Sequence, residues 1–203
     1  MKECWYEKYK VDVPEGESGD WKIEKFTVDD NDLSQQLSAI KYGRSVPGGT
    51  YTRLTHHNDV VMSDTPDEIK DHLSILYNAS GNILIAGLGL GMVVGHVASK
   101  EEVTHVTVIE NSSDVIKLVA HQYKDKYKDK IEIIEADIFK WKPDKTAYYD
   151  YAWYDIWNTL CLDNLEEMTR LHRKFGKKTG WQNSWGRDYL KYRKRQERNS
   201  YYF

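Results

Sequence analysis

The chain has 203 residues, 40% hydrophobic and 30% charged, a length and composition that suit one globular domain with a sizeable core. Its most apolar stretch, Asn82 to Ala98, is interrupted by four glycines and His96, which excludes a membrane span, and Met1-Lys2-Glu3-Cys4-Trp5 is too polar to open a signal peptide. The formal net charge of -3 hides an asymmetry, because residues 170 to 203 carry eleven Lys or Arg against Asp188 and Glu197, while the rest holds eighteen basic and thirty acidic side chains. Cys4 and Cys161 are too few for a disulfide framework or a zinc cluster, so a reducing, cytoplasmic setting without a membrane is expected.

Residues 1 to 60 are rich in turn formers, with short β-like runs at Trp21 to Val28 and Thr50 to Leu54 and a helix near Leu33 to Ile40. This part reads as an N-terminal extension or lid, and residues 61 to 203 as the main domain. Thr65-Pro66-Asp67-Glu68 predicts a helix start, with Thr65 as cap and Glu68 closing a capping box. Ile69, Leu73, Leu76 and Tyr77 supply its apolar face and Asn78-Ala79-Ser80-Gly81 ends it. Strands and helices then alternate. Strands are expected at Asn82 to Ala86, His105 to Ile109, Ile131 to Glu135 and Tyr149 to Asp155, and helices at Leu90 to Lys100, Ser112 to Tyr123 and Asp163 to Phe175. In the last of these Asp163 serves as cap and Gly176 as stop. Such alternation implies a parallel sheet with right-handed crossovers. Ligands of such sheets bind at the carboxyl ends of the strands.

Gly87-Leu88-Gly89-Leu90-Gly91 follows the first of these strands directly and opens a helix. Glycines there allow a tight turn and close approach of backbone to a ligand. A dinucleotide fingerprint wants its third glycine one position later, where Met92 stands. Glu110 ends the second strand nineteen residues past Gly91, where a carboxylate can accept both hydroxyls of a ribose; Asn111 follows it. Asp137 and Ile138 follow the third strand, placed to bond an adenine amino group and to pack on its ring, unless Asp137 simply caps the next turn. The fourth strand runs into Trp153-Tyr154-Asp155-Ile156-Trp157. A carboxylate at Asp155 can take a proton from an amine, and Trp153, Tyr154 and Trp157 can wall a cation or a base; core packing accounts for the same aromatics.

The order Gly87-Leu88-Gly89-Leu90-Gly91, Glu110, Asp137, Asp155 resembles class I S-adenosylmethionine (SAM)-dependent methyltransferases, above all their spermidine-synthase-like branch. Ile83-Leu84-Ile85-Ala86-Gly87 resembles that branch in carrying an aliphatic residue two positions before the first glycine, where many methyltransferases carry an acid, and Met62-Ser63-Asp64-Thr65-Pro66-Asp67-Glu68 and Trp153-Tyr154-Asp155-Ile156-Trp157 also resemble uncharacterised methyltransferase-type proteins of phage and bacteria. The resemblance covers roughly residues 60 to 175. It implies an α/β fold, a Rossmann-like three-layer sandwich truncated after its fourth or fifth strand, with a β-rich N-terminal extension. It implies SAM as cofactor, held by Gly87, Leu88, Gly89, Gly91, Glu110, Asn111, Asp137 and Ile138. Asp155 becomes the catalytic residue and Trp153, Tyr154 and Trp157 the substrate wall, for methyl transfer to a small molecule, an amine among the options. The alternatives are aminopropyl transfer, a nucleoside-binding module without chemistry, and a nucleic-acid methyltransferase. The pattern departs from aminopropyltransferases in lacking an evident second acid beside Asp155. Only about 28 residues follow Phe175, where Lys178-Thr179-Gly180-Trp181-Gln182 offers one further strand.

His56-His57 precedes Asp59, but adjacent residues on a strand point to opposite faces, so loop histidines and no metal are expected. His72 reads as a satisfied, partly buried histidine. The tail runs from Trp181 through Trp185-Gly186-Arg187 into a basic helix from Asp188 to Arg198; its Lys and Arg with interleaved Trp and Tyr suit either nucleic acid or the chain's own acidic body in a homo-oligomer, and the second is favoured.

Overall fold

The structure, a computed structural model, describes residues 4–29 and 46–200. The helix expected near Leu33 to Ile40 lies outside them. Two sheets carry the fold. The first is antiparallel, with strands β1 (Gly16–Ser18), β2 (Trp21–Val28), β3 (Gly49–His56) and β4 (Asp59–Ser63) in that order. The second is parallel and comprises β5 (Gly81–Ala86), β6 (Val103–Glu110), β7 (Ile131–Glu135), β8 (Tyr149–Tyr154) and β9 (Thr179–Ser184) in the order β7-β6-β5-β8-β9. The helices are α1 (Pro66–Asp71), α2 (Leu73–Asn78), α3 (Met92–Ser99), α4 (Ser113–Tyr127), α5 (Asn164–Phe175) and α6 (Arg187–Ser200).

β5 shows why the layers form. Its alternation sends Ile83 and Ile85 into a core shared with α3, α4 and the antiparallel sheet, and Leu84 and Ala86 into a second core with α5 and Leu190 of α6. A parallel strand buried on both faces reads as an unbroken apolar run, as Ile83 to Ala86 does. The sheet therefore has helices on both sides, the α/β three-layer arrangement with a β-rich N-terminal part. The chain goes from β5 outward to β6 and β7, then returns to β8 on the other side of β5. That reversal opens a crevice at the carboxyl ends of β5 and β8, the usual ligand position in such sheets.

The antiparallel sheet docks beside this crevice. Ser18 Oγ donates to Asp114 Oδ1 of α4 at 2.7 Å. Asp64, 1% exposed, accepts backbone N–H bonds from Thr52 (2.6 Å) and Val11 (3.1 Å), tying the first residues to the end of β4.

Several local expectations need correction. The helix after Thr65 is two short helices joined at His72, whose N–H bonds Ile69 O in an i→i-3 turn instead of continuing the α pattern. Tyr77 is 59% exposed and leaves the apolar face. Thr65 caps nothing with its side chain; its hydroxyl meets Ser63 Oγ at 2.9 Å, and Ser63 donates to Glu68 Oε2 at 3.2 Å. Asp163 likewise makes no side-chain cap, and Gly176 closes α5 in ordinary right-handed conformation. Both cysteines are free. Among the described residues no helix is long and apolar enough to cross a membrane.

Candidate active site

The glycine loop leaves β5 with its backbone pressed against the end of β8. The Asp155 N–H bonds Ala86 O at 2.8 Å, and Gly87 N–H bonds Ile109 O at 2.9 Å. Gly87 has φ +97°, and a Cβ there would run into the Asp155 carbonyl oxygen. Gly91, the N-cap of α3, has φ +75°, and a Cβ would strike the ring of Tyr123, whose hydroxyl donates to Leu90 O at 2.9 Å. Between them Gly89 lies beneath Met62 of β4, whose Sδ accepts the Leu90 N–H at 3.4 Å.

Glu110, 8% exposed, stands at the end of β6. Its Oε2 accepts the Leu88 N–H and its Oε1 the Ser112 N–H, each at 2.8 Å. The carboxylate thus fastens the glycine loop to the turn before α4. An ionised carboxylate offers about four acceptor positions, so about two remain for a ligand. Asp137 accepts the Phe139 N–H at 2.8 Å, which together with the Lys140 ammonium at 3.4 Å holds its carboxyl below the usual range. It caps its own turn while lining the cavity beside Ile138.

Asp155 follows β8. Its carboxyl is 13% exposed and, among the described residues, accepts no hydrogen bond; the closest partner is His72 Nε2 at 3.7 Å. Burial, reinforced by the charges of Glu68, Asp71 and Glu110, pushes its pKa up to about 8. His72 is fully buried and, among the described residues, neither ring nitrogen is hydrogen-bonded, and burial drives its pKa down to about 4. The expectation of a satisfied, partly buried histidine is therefore corrected: a neutral imidazole faces Asp155 from the junction of α1 and α2.

These groups border a cavity of about 260 Å³. Gly87, Gly89, Glu110, Asn111, Asp137, Ile138, Asp155 and Trp157 line it. Leu88 and Gly91 do not, since Leu88 spends its N–H on Glu110 and Gly91 packs on Tyr123. Trp153 and Tyr154 do not either, and the aromatic wall expected of them is a correction. Strand alternation sends them to opposite sides of the sheet, Trp153 beside His72 and Trp181, Tyr154 onto Phe175 with its hydroxyl on Gln182 Oε1. Only Trp157, beyond the strand end, reaches the cavity, and its Nε1 donates to Glu167 Oε2 at 2.7 Å.

Sequence reasoning missed the residues that distant segments contribute. Glu68 of α1, Glu167 of α5, Met62, Trp21 of β2 and Trp185 after β9 also line the cavity, and Trp185 Nε1 reaches Asp71 Oδ2 at 3.4 Å. The described lining includes five carboxylates, Glu68, Glu110, Asp137, Asp155 and Glu167, and neither lysine nor arginine. Glu68 and Asp71 supply the acids beside Asp155 that the sequence did not reveal.

No protein-family model and no curated protein matches the chain. Among solved structures it is similar to the N-methyltransferase NodS from Bradyrhizobium japonicum WM9, at 20% identity over 56% of this chain and 63% of that one, with TM-score 0.43. It is similar to a dimethyladenosine transferase from Plasmodium falciparum, at 20% identity over 45% of this chain and 32% of that one, with TM-score 0.37. The plantazolicin methyltransferase BpumL in complex with SAH is a third, at 19% identity over 54% of this chain and 38% of that one, with TM-score 0.38. The chain spans less than two thirds of the length of each. At these values the residues of the cavity, not the likeness, carry the chemistry.

Proposed function

We propose that the chain is a SAM-dependent methyltransferase whose acceptor is a small cationic amine. The observation that carries this is the cavity's charge: among the described residues five carboxylates line it, no lysine or arginine does, and the mostly buried Asp155 carboxyl has no hydrogen-bond partner. A site of this sign concentrates cations and repels polyanions, which favours an amine and weighs against nucleic acid. Trp157 and Trp185 add aromatic faces suited to an ammonium.

The residues fit the cofactor. Glu110 keeps acceptor capacity for a ribose, Asn111 lies next to it, and Asp137 and Ile138 line the same cavity, which supports giving them the adenine. SAM supplies an activated methyl group on a cationic sulfonium, and the acidic lining suits that charge as well. Asp155 acts on the acceptor. A carboxyl with proton affinity near neutrality is matched to removing a proton from an ammonium. An approaching cation favours its carboxylate form, so binding itself arms the base. Glu68, in the lining, holds the rest of the acceptor's charge, the role that second acids take in the spermidine-synthase-like branch, and Asp71 outside the cavity adds to the negative field at Asp155. The antiparallel sheet borders the cavity through Trp21 and Leu54, which supports reading the N-terminal part as a cover for the site.

Calorimetry with S-adenosylhomocysteine and NAD, followed by turnover assays with labelled SAM against amines, neutral alcohols and carboxylates, tests the reading. S-adenosylhomocysteine is expected to bind at least tenfold tighter than NAD. Glu110→Gln should cost about 2 kcal/mol of that affinity, about thirtyfold. Amines alone should be methylated, and Glu68→Gln should raise the amine KM while leaving S-adenosylhomocysteine affinity unchanged. Tighter binding of NAD, or methylation confined to anionic acceptors, overturns it.

A further inference from the structure

The two hairpin turns of the antiparallel sheet meet at one end of it. Gly19-Asp20 joins β1 to β2 and His57-Asn58 joins β3 to β4. In the β2–β3 ladder Trp21 pairs with His56, which sets Asp20 across from His57, and the His57 N–H donates to Asp20 O at 3.0 Å. Were the strand extended through both histidines, their rings would face opposite ways. His57 instead has φ +50° and Asn58 φ +70°, the pair of left-handed residues that a two-residue hairpin turn demands. That turn swings the His57 ring back, so the two imidazole centroids lie 4.2 Å apart. The premise that separated the histidines is corrected by the turn.

The donors converge. His57 Nδ1 is 3.5 Å from Asp20 Oδ1, and one ligand atom from each of Asp20, His56 and His57 lies within 4.8 Å of the others. His56 is held in place by stacking on Trp21, with centroids 4.4 Å apart and planes 23° from parallel. The nearby Lys22 ammonium is engaged by Glu24 at 3.1 Å and Glu17 at 3.5 Å, and among the described residues His57 is the group that meets the Asp20 carboxylate.

We propose that Asp20, His56 and His57 bind one divalent transition-metal ion of the zinc class, with water in the remaining positions. Two imidazoles and one carboxylate are the donor set that zinc, cobalt and nickel accept, whereas magnesium and calcium require mostly oxygen ligands. The ion clamps the two turns together. Because Trp21 packs on His56 with one part of its surface and lines the cavity with another, the clamp also stiffens one wall of the candidate active site. The proposal is independent of what the cavity binds.

The test is calorimetric titration of the chelator-treated full chain with zinc chloride, with magnesium chloride as control, and cobalt chloride followed by visible absorption. One equivalent of zinc is expected, with cobalt absorption bands of a site containing nitrogen ligands and no heat from magnesium. His56→Ala, His57→Asn and Asp20→Asn should each weaken zinc binding by more than about tenfold. Asparagine at 57 tolerates the turn, and circular dichroism of each variant confirms that the fold is intact. Zinc should raise the melting temperature of the unmodified chain and not of the variants. Absence of zinc binding, or binding that survives all three substitutions, overturns the proposal.

Discussion

Glu110 and Asp155 stand at the carboxyl ends of β6 and β8, the two strands flanking β5, yet the two halves of the cavity treat their carboxylates in opposite ways. On the glycine-loop side each oxygen of Glu110 accepts a backbone N–H, from Leu88 and from Ser112. The group is part of the scaffold, and what it offers a ligand is geometry. On the other side the Asp155 carboxyl, 13% exposed, meets no hydrogen-bond donor among the described residues and has a neutral imidazole at 3.7 Å and further acids around it. Under the proposed function this environment is what raises its proton affinity toward neutrality until a cationic acceptor arrives. The two carboxylates differ less in burial than in whether donors meet them, and under the proposed function that difference separates the scaffold acid from the base.

The comparison breaks most completely where the two halves touch, at Gly87. Gly87→Ala places a methyl group against the Asp155 backbone carbonyl at a φ that L-residues rarely adopt. Neither backbone can yield without moving a strand end. The expected loss is about 4 kcal/mol, combining left-handed strain with overpacking, read as a drop of about 8–16 °C in melting temperature. Gly91→Ala meets the ring of Tyr123, a side chain that can rotate if its bond to Leu90 O is given up, so its loss should be smaller. Equal losses at both positions would mean that the approach of loop to strand end is not what fixes Gly87.

The next test sharpens the Asp155 half. Its pKa is raised from 3.8 to about 8 in the folded protein, so between those values the native state holds a proton that the unfolded chain releases, and stability falls as pH rises through that window. Asp155→Asn removes the fall. At pH 8.5 the variant should be more stable than the parent by on the order of 3 kcal/mol, while at pH 4 the two should be close. His72 runs the other way. Its pKa is lowered from 6.5 to about 4, so its contribution is complete above 6.5 and is lost as pH falls toward 4. His72→Gln should therefore flatten the acid side of the profile and leave the alkaline side as it was. Thermal melts at half-unit pH intervals decide the matter; an Asp155→Asn profile parallel to the parent's would show that Asp155 is not held protonated.

Which of these features the sequence displayed follows from how far apart their parts lie. The parallel strands were legible because burial on both faces makes them unbroken apolar runs, and the glycine loop and Glu110 because they close successive strands at short spacing. The acid cluster was not. Glu68 and Asp71 lie more than eighty residues before Asp155, and only the packing of α1 over the sheet joins them. Glu68 reads in sequence as the far half of a capping box, a local explanation that conceals its place in the cavity. Trp153 and Tyr154 were misread for a reason available in the sequence: adjacent strand residues cannot share a wall. The break at His72 left no sequence signal, because Ile69, Leu73 and Leu76 keep helical spacing across it.

The smallest expected effect lies at the border between the halves, at Trp157. The residue is 9% exposed and its Nε1 donates to Glu167 Oε2 at 2.7 Å. Trp157→Phe keeps most of the aromatic face and deletes the donor. Glu167 is solvent-accessible and can take water in place of the indole, so the stability loss should not exceed about 1 kcal/mol. For catalysis the two roles of the residue separate. If the ring faces the acceptor's cation, Trp157→Phe should raise the amine KM only a few-fold while Trp157→Ala raises it by about tenfold, the difference being a partly desolvated cation–π contact. S-adenosylhomocysteine affinity should stay constant in both, because Glu110 and Ile138 approach the cavity from the other side of β5. A parallel loss of S-adenosylhomocysteine affinity in Trp157→Ala would place the indole on the glycine-loop side and redraw the border between the two halves.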